Sequence, residues 1–238
     1  MSKIQEIKQK LMAEYPYKFE LHCHSNPVSG CSDLPPAELA QRCKDAGANG
    51  LVLTNHAVWW MKETPKEEWC ARYLKDFQET KEAAKQLGLT ALLGFEIHFM
   101  DSDNDYLVFG FNEDFIPTVY DWMDKTAKEF YEAFRSENCL MIQAHPNRDR
   151  MVEMDRDCVD GYEVFNLHPG HNSRVAVAAK LHAQHGGVVT GGTDFHHRGH
   201  EGSLLTCFAE MPKDEKDLVR LLRSGDYMFM TADKVILG

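Results

Sequence analysis

Short apolar runs recur along this 238-residue chain, and most of them end on a histidine, a carboxylate or an asparagine. The runs are FELHCH (19–24), GLVLTNH (50–56), TALLGFEIHF (90–99), DYLVFGF (105–111), CLMIQAH (139–145), GYEVFN (161–166), VVTGGTDFH (188–196) and SLLTCFAE (203–210). Between most of them lie segments with helical spacing. PPAELAQRCKDAG opens on prolines, where a helix tolerates them, and closes on Gly47, a suitable residue just past a helix end. Further helices are predicted over about 66–87, 118–137, 171–185 and 213–224. Near-continuous apolar strands alternating with helices imply an α/β fold with a parallel sheet covered by helices. The hairpin-like pair around 90–111 breaks the strict alternation. The number of units in one domain favours a barrel over an open sheet.

The polar endings carry the functional signal. They fall at His24, His56, Glu96 with His98, His145, Asn166, and Asp194 with His196. In a (β/α) barrel the C-terminal ends of the strands meet at one face, so residues spread over this span converge. His22 and His24 stand at i and i+2, which turns both imidazoles to one side of a strand. Asp194 and His196 repeat that spacing after Gly191 and Gly192, which allow backbone to approach a crowded centre. His145 precedes Pro146 and is expected to be extended. Glu96 lies inside an apolar run, where a carboxylate is costly without a cation. Each position has a bland reading, such as a buried salt bridge for Glu96 or an Asp–His hydrogen bond for Asp194. One cluster of divalent ions accounts for all of them together. Imidazole and carboxylate ligands suit zinc, manganese or iron, and seven candidates exceed what one ion takes.

Bulk properties narrow the rest. The formal charge is −11, which disfavours broad binding to nucleic acid. The seven cysteines form no CxxC pair, which argues against a disulfide framework and fits a reducing compartment, so a cytoplasmic location is expected. No run is long and apolar enough to suggest a membrane span. Ile4, Ile7 and Leu11 recur at helical spacing, which reads as an amphipathic opening helix over about 1–15. The remainder, about 18–230, reads as one barrel domain. The pattern carries no signal for oligomeric state.

The combined motifs His22-Cys23-His24-Ser25, Thr54-Asn55-His56, Gly94-Phe95-Glu96, Ala144-His145-Pro146, Glu163-Val164-Phe165-Asn166 and Gly192-Thr193-Asp194-Phe195-His196 resemble the PHP (polymerase and histidinol phosphatase) superfamily over roughly 18–200. The resemblance implies a distorted (β/α)7 TIM-like barrel, a centre of two or three divalent ions, and phosphoesterase activity. It implies His22, His24, His56, Glu96, His145, Asp194 and His196 as ligands. Three departures stand out. Asn55 replaces the usual aspartate, only SGCSD follows the first motif, and Asn104-Asp105-Tyr106 stands where a histidine usually leads the next strand. Asp33, His98 and Asp105 are the replacement candidates. Arg148 is a candidate for holding a substrate phosphate and His168 for the general acid. Trp59 and Trp60 read as packing near the rim, and His197 and His200 as facing solvent. The expected function is hydrolysis of a small phosphomonoester by a metal-activated water. An amide or lactone hydrolase and a catalytically silent metal-binding module are the alternatives.

Overall fold

The computed structural model describes residues 2–232 and 234–237. In chain order its elements begin with α1 (Lys3–Glu14), β1 (Tyr17–Cys23), α2 (Pro36–Asp45), β2 (Gly50–Leu53), β3 (His56–Val58), α3 (Lys66–Gln86), β4 (Thr90–His98) and β5 (Asp105–Phe109). They continue with α4 (Ile116–Trp122), α5 (Ala127–Phe134), β6 (Leu140–Gln143), β7 (Gly161–Asn166), α6 (Val175–His185) and β8 (Val188–Gly192). The last are β9 (Leu205–Phe208), α7 (Glu215–Ser224), β10 (Tyr227–Thr231) and β11 (Lys234–Leu237).

The result is an α/β protein with one curled sheet and, among the described residues, seven α-helices. β1 pairs in parallel with β2, and β2 and β3 lie in turn beside β4. β5 is antiparallel to both β4 and β6, which is the break expected around 90–111. β6, β7 and β8 then run parallel. After β8 the chain returns to β1. Phe195 accepts from the His24 N–H at 3.0 Å and donates to the His22 carbonyl at 2.9 Å. β9, β10 and β11 extend the sheet in antiparallel fashion from the other part of the β1 edge. The strands β10 and β11 are not anticipated by the sequence reading.

Local chemistry explains most boundaries. α2 starts at Pro36 and is followed by Gly47 at φ +81°, as its sequence predicts. The helix expected over 118–137 is two helices. Thr126 caps α5 by accepting from the Glu129 N–H, while Glu129 accepts from the Thr126 N–H, so the T-x-x-E pattern starts a new helix. The opening helix, Lys3–Glu14, is capped by Ser2 and ends at Tyr15. Ile4 and Ile7 are exposed, and of its apolar residues at helical spacing only Leu11 packs on the core. No described helix is long and apolar enough to cross a membrane.

The core has two clusters. The larger packs Leu39, Trp69, Phe77 and Leu181 of the helices against the sheet. The smaller joins Phe19, Val52, Leu92 and Ile142 to Leu218 and Leu222 of α7. Gly192 shows how tightly the strands meet, since an added Cβ would stand 2.6 Å from the His22 Cβ. Gly192→Ala is therefore expected to displace His22 and to cost about 1–3 kcal/mol by overpacking, read as a lower urea midpoint.

Candidate metal centre

β1 carries the first two ligand-type residues, and its pairing with β2 slips between Glu20 and Cys23. A bulge of this kind re-aims side chains. The buried Glu20 carboxylate stabilises it, with Oε1 accepting from the His22 N–H at 3.0 Å and the Thr193 N–H at 2.9 Å. Burial pushes Glu20 up to about 7, against the lowering effect of those donors. His56 opens β3, Glu96 lies near the end of β4, and Asp105 begins the antiparallel β5. His145 and Asp194 follow β6 and β8 by two residues each. Both have left-handed backbone, at φ +29° and +57°. His145 is therefore not extended, contrary to the expectation from Pro146. Such conformations cost roughly 1–3 kcal/mol each and persist where surrounding structure enforces them.

Three overlapping groups of ligand-type atoms result, each within 4.8 Å of one another: His22, His24, Glu96 and Asp194; Glu96, Asp105 and His145; and His24, His56 and His196. Glu96 is at the middle. Its Oε1 is 3.2 Å from His22 Nε2 and 3.1 Å from His145 Nε2, and its Oε2 is 3.3 Å from His24 Nε2 and 2.9 Å from His56 Nδ1. Asp194 Oδ1 is 3.3 Å from both His22 Nε2 and His24 Nε2. The seven residues that the sequence singles out first all lie in these groups, with Asp105 as an eighth.

The donor set fits divalent cations. His22 Nδ1 is 2.8 Å from Glu163 Oε1, and an ionised carboxylate can only accept, so Nδ1 carries the hydrogen and Nε2 faces Glu96 and Asp194. A carboxylate behind an imidazole is a common way of aiming it at a metal. His22 Nε2, His24 Nε2 and Glu96 Oε2 are buried and near charged neighbours, yet none has a hydrogen-bond partner of acceptable geometry. Burial alone would lower His22, but Glu163, Asp194 and Glu96 overcome it and hold it well above its ordinary range. Positive charge is favoured at this spot, and a divalent ion meets the same demand. Burial is the largest single effect and disfavours ionised Glu96 and Asp194, but His22, His56 and His145 together outweigh it at Glu96, and His22, His196, His24 and Arg148 at Asp194, which keeps both carboxyls well below the usual range.

The remaining candidates separate cleanly. Asp105 Oδ1 is 2.8 Å from His98 Nδ1 and its Oδ2 is 3.8 Å from His145 Nε2, so His98 backs Asp105 and lies outside the three groups. Trp60 stands edge-on to His98 at 5.2 Å, and both Trp59 and Trp60 are largely exposed. Asp33 points outward, 3.7 Å from His197 and 3.5 Å from Arg198. Asn55 lies behind the centre. It accepts from the Ser25 N–H at 2.7 Å and donates to Asp76 at 2.7 Å, so the departure at that position bears on a loop and leaves the ligand groups unchanged.

Asp76 itself gives a pH prediction. Burial raises it to about 6, against hydrogen bonds from Ser25 and Asn55 that lower it. A raised folded value stabilises below the unfolded pKa and is lost as pH climbs through 6. On metal-free protein, the stability of wild type relative to Asp76→Asn should fall by about 2–3 kcal/mol between pH 4 and 7. Denaturant titrations of both proteins at several pH values check this, and a constant difference would refute it.

Arg148 and His168 face the same cavity, of about 250 Å³, whose described lining is entirely ionisable. Arg148 Nη2 donates to Asp194 Oδ2 at 2.5 Å and to Asn166 Oδ1 at 2.7 Å. Burial lowers His168 to about 3, and His171, Arg148 and His200 lower it further against Asp194. Its Nδ1 accepts from the Gly170 N–H at 3.0 Å, which leaves the hydrogen on Nε2. Cys31, a residue absent from the sequence-based candidates, also lines the cavity. Burial raises its thiol, but His196 and His56 outweigh this and bring it to about 6.

Comparison with known proteins agrees with this architecture. PsfC from Pseudomonas syringae is similar over 91% of this chain and 91% of its own, with 15% identity and a TM-score of 0.63. A two-domain protein from Bacteroides vulgatus, described as containing a predicted PHP-like metal-dependent phosphoesterase, is similar over 90% of this chain and 64% of its own, at 16% identity and TM-score 0.63. An amidohydrolase from Chromobacterium violaceum, with bound sulfate and no metal, is similar over 77% of this chain and 89% of its own, at 16% identity and TM-score 0.50. At these identities the likeness shows the fold. No curated protein matches the sequence. The PHP domain family matches residues 20–168, more than half of the chain, and the protein therefore belongs to the PHP family, whose members are generally metal-dependent hydrolases.

Proposed function

We propose that this PHP protein hydrolyses a small phosphomonoester at a centre of two or three divalent ions of zinc, manganese or iron. In this reading the fold is the distorted (β/α)7 barrel and the centre lies at the C-terminal ends of its strands. His22, His24, Glu96 and Asp194 would hold one ion, Glu96, Asp105 and His145 a second, and His24, His56 and His196 a third. Divalent ions in such clusters acidify a water and offset charge on substrate oxygens.

The observation that carries the phosphate reading is the lining of the cavity. Arg148 and several histidines stand beside the ligand groups, and among the described lining residues none is apolar. With cations bound, that wall is strongly positive and suits a compact anion. Arg148 would hold the phosphoryl group and also fixes Asp194 by its hydrogen bond. The role expected for His168 changes in kind. At about 3 it is neutral at pH 7, a poor proton donor, so its Nε2–H would orient a substrate oxygen by hydrogen bonding.

One observation favours the amide or lactone alternative. Arg148 is already engaged by Asp194 and Asn166, so its guanidinium has a structural role without a phosphate. The test compares an aryl phosphate with an aryl acetate and a lactone, with and without manganese or zinc, in wild type and Arg148→Ala. Metal-dependent phosphate release with a raised KM in the variant is the expected result. Turnover of the ester or lactone alone would transfer the assignment to carbonyl hydrolysis.

A further inference from the structure

We infer that Cys31 is a thiolate ligand to the ion held by His56 and His196, so that the outer end of the centre is a mixed imidazole–thiolate site. The inference rests on the metal-centre reading above. It identifies the ligand that the segment after the first motif supplies, a place where Asp33 faces away.

Cys31 lines the cavity together with His56 and His196, the two imidazoles that act on its thiol. The backbone on either side of it is tied to the histidines. Ser29 Oγ accepts from the His56 N–H at 3.0 Å. Ser32 Oγ is 3.0 Å from the carbonyls of both His24 and His196, and the Asp33 N–H donates to the His196 carbonyl at 3.1 Å. Movement of this loop and movement of the imidazoles are thereby linked.

His24 is fully buried, its Nε2 has no hydrogen-bond partner, and the residue is grouped with His56 and His196. Its ring lies 4.4 Å from that of His56 and 4.1 Å from that of His196. Imidazoles gathered this closely suit a shared cation. Neutral imidazoles bring no charge to offset a divalent ion, whereas a thiolate brings one. On coordination the Sγ lone pair forms the bond to the ion and the S–H proton passes to solvent, with no change of oxidation state. A soft sulfur ligand would bias the site toward zinc, cobalt or ferrous iron over manganese.

Cobalt(II) is the probe, because a thiolate bound to it gives a charge-transfer absorption in the near ultraviolet. The other six cysteines do not line this cavity, and the neighbouring Cys23 thiol donates to the Val52 carbonyl. Metal-free protein is titrated with cobalt(II) while absorbance and retained cobalt are followed. The proposal expects a charge-transfer band in wild type. Cys31→Ser should lose the band and one retained equivalent. Cys31→Asp should regain the equivalent without the band and bind manganese better relative to zinc. Cobalt retained without a band in wild type, or a band that survives in Cys31→Ser, overturns the thiolate while leaving the metal centre standing. Failure of wild type to bind cobalt at all overturns both readings.

Discussion

Glu96→Gln should strip the protein of most of its metal and abolish metal-dependent hydrolysis, while the fold survives. Glutamine has the same shape as glutamate, so the apolar run around position 96 keeps its packing. The charge is what changes. Glu96 belongs to two of the three ligand groups, and its two oxygens face His22, His145, His24 and His56 at 2.9–3.3 Å. The amide leaves one neutral oxygen for those imidazoles and places an N–H₂ group, which cannot coordinate, against the others. Losing a partner behind a ligand typically costs 10–100-fold in affinity or activity. A residue serving two groups directly should cost more than about 100-fold. Elemental analysis after gel filtration, beside circular dichroism, reads the result. Retained metal at the wild-type level would mean that Glu96 is only a buried salt-bridge partner, and the convergence of the histidines would need another cause.

The ligand-type residues were legible because each is a local contradiction: a histidine or carboxylate at the end of an apolar run that otherwise belongs to the core. Glu96 within GFEIHF and Asp194 within GGTDFH are marked in this way. Glu20 is set in an equally apolar run, yet it is no ligand. Its purpose is to satisfy backbone N–H groups of His22 and Thr193 at a bulge, and a bulge depends on strand pairing rather than on the run itself. Glu163 belongs to a motif in the sequence, but its partners, His22 and His145, are 141 and 18 positions away. The choice between Cys31 and Asp33 is finer still. Both are in SGCSD, where Cys31 lines the cavity while Asp33 lies by His197 and Arg198, and the loop between them and the histidines is held by Ser29 and Ser32, contacts that spacing does not reveal. In the fold, strand–helix alternation reads out from hydrophobic spacing, whereas the split of the 118–137 helix follows from a capping box that spacing alone overlooks.

Glu163→Gln should weaken metal binding at the His22 group by about 10–100-fold while the metal-free protein keeps its fold. The reason is that the amide has no free choice of orientation. Glu163 Oε2 accepts two hydrogen bonds, from the His145 N–H at 3.0 Å and from Asn166 Nδ2 at 2.9 Å. A glutamine must leave its carbonyl oxygen there, since turning the N–H₂ group that way would oppose donors to donors in a buried site. The N–H₂ group then takes the place of Oε1, 2.8 Å from His22 Nδ1 in the wild type. That nitrogen must now accept, so the hydrogen moves to Nε2, the atom that faces Glu96 and Asp194. The imidazole keeps its position and loses its ability to coordinate. Nitrogen-15 NMR of the metal-loaded proteins, in which the cation takes over the charge that otherwise favours doubly protonated His22, distinguishes this from simple loss of packing: His22 should carry its hydrogen on Nδ1 in wild type and on Nε2 in the variant. A variant with weaker metal binding but an unchanged tautomer would show that Glu163 acts through its charge, and unchanged affinity would remove it from the centre altogether.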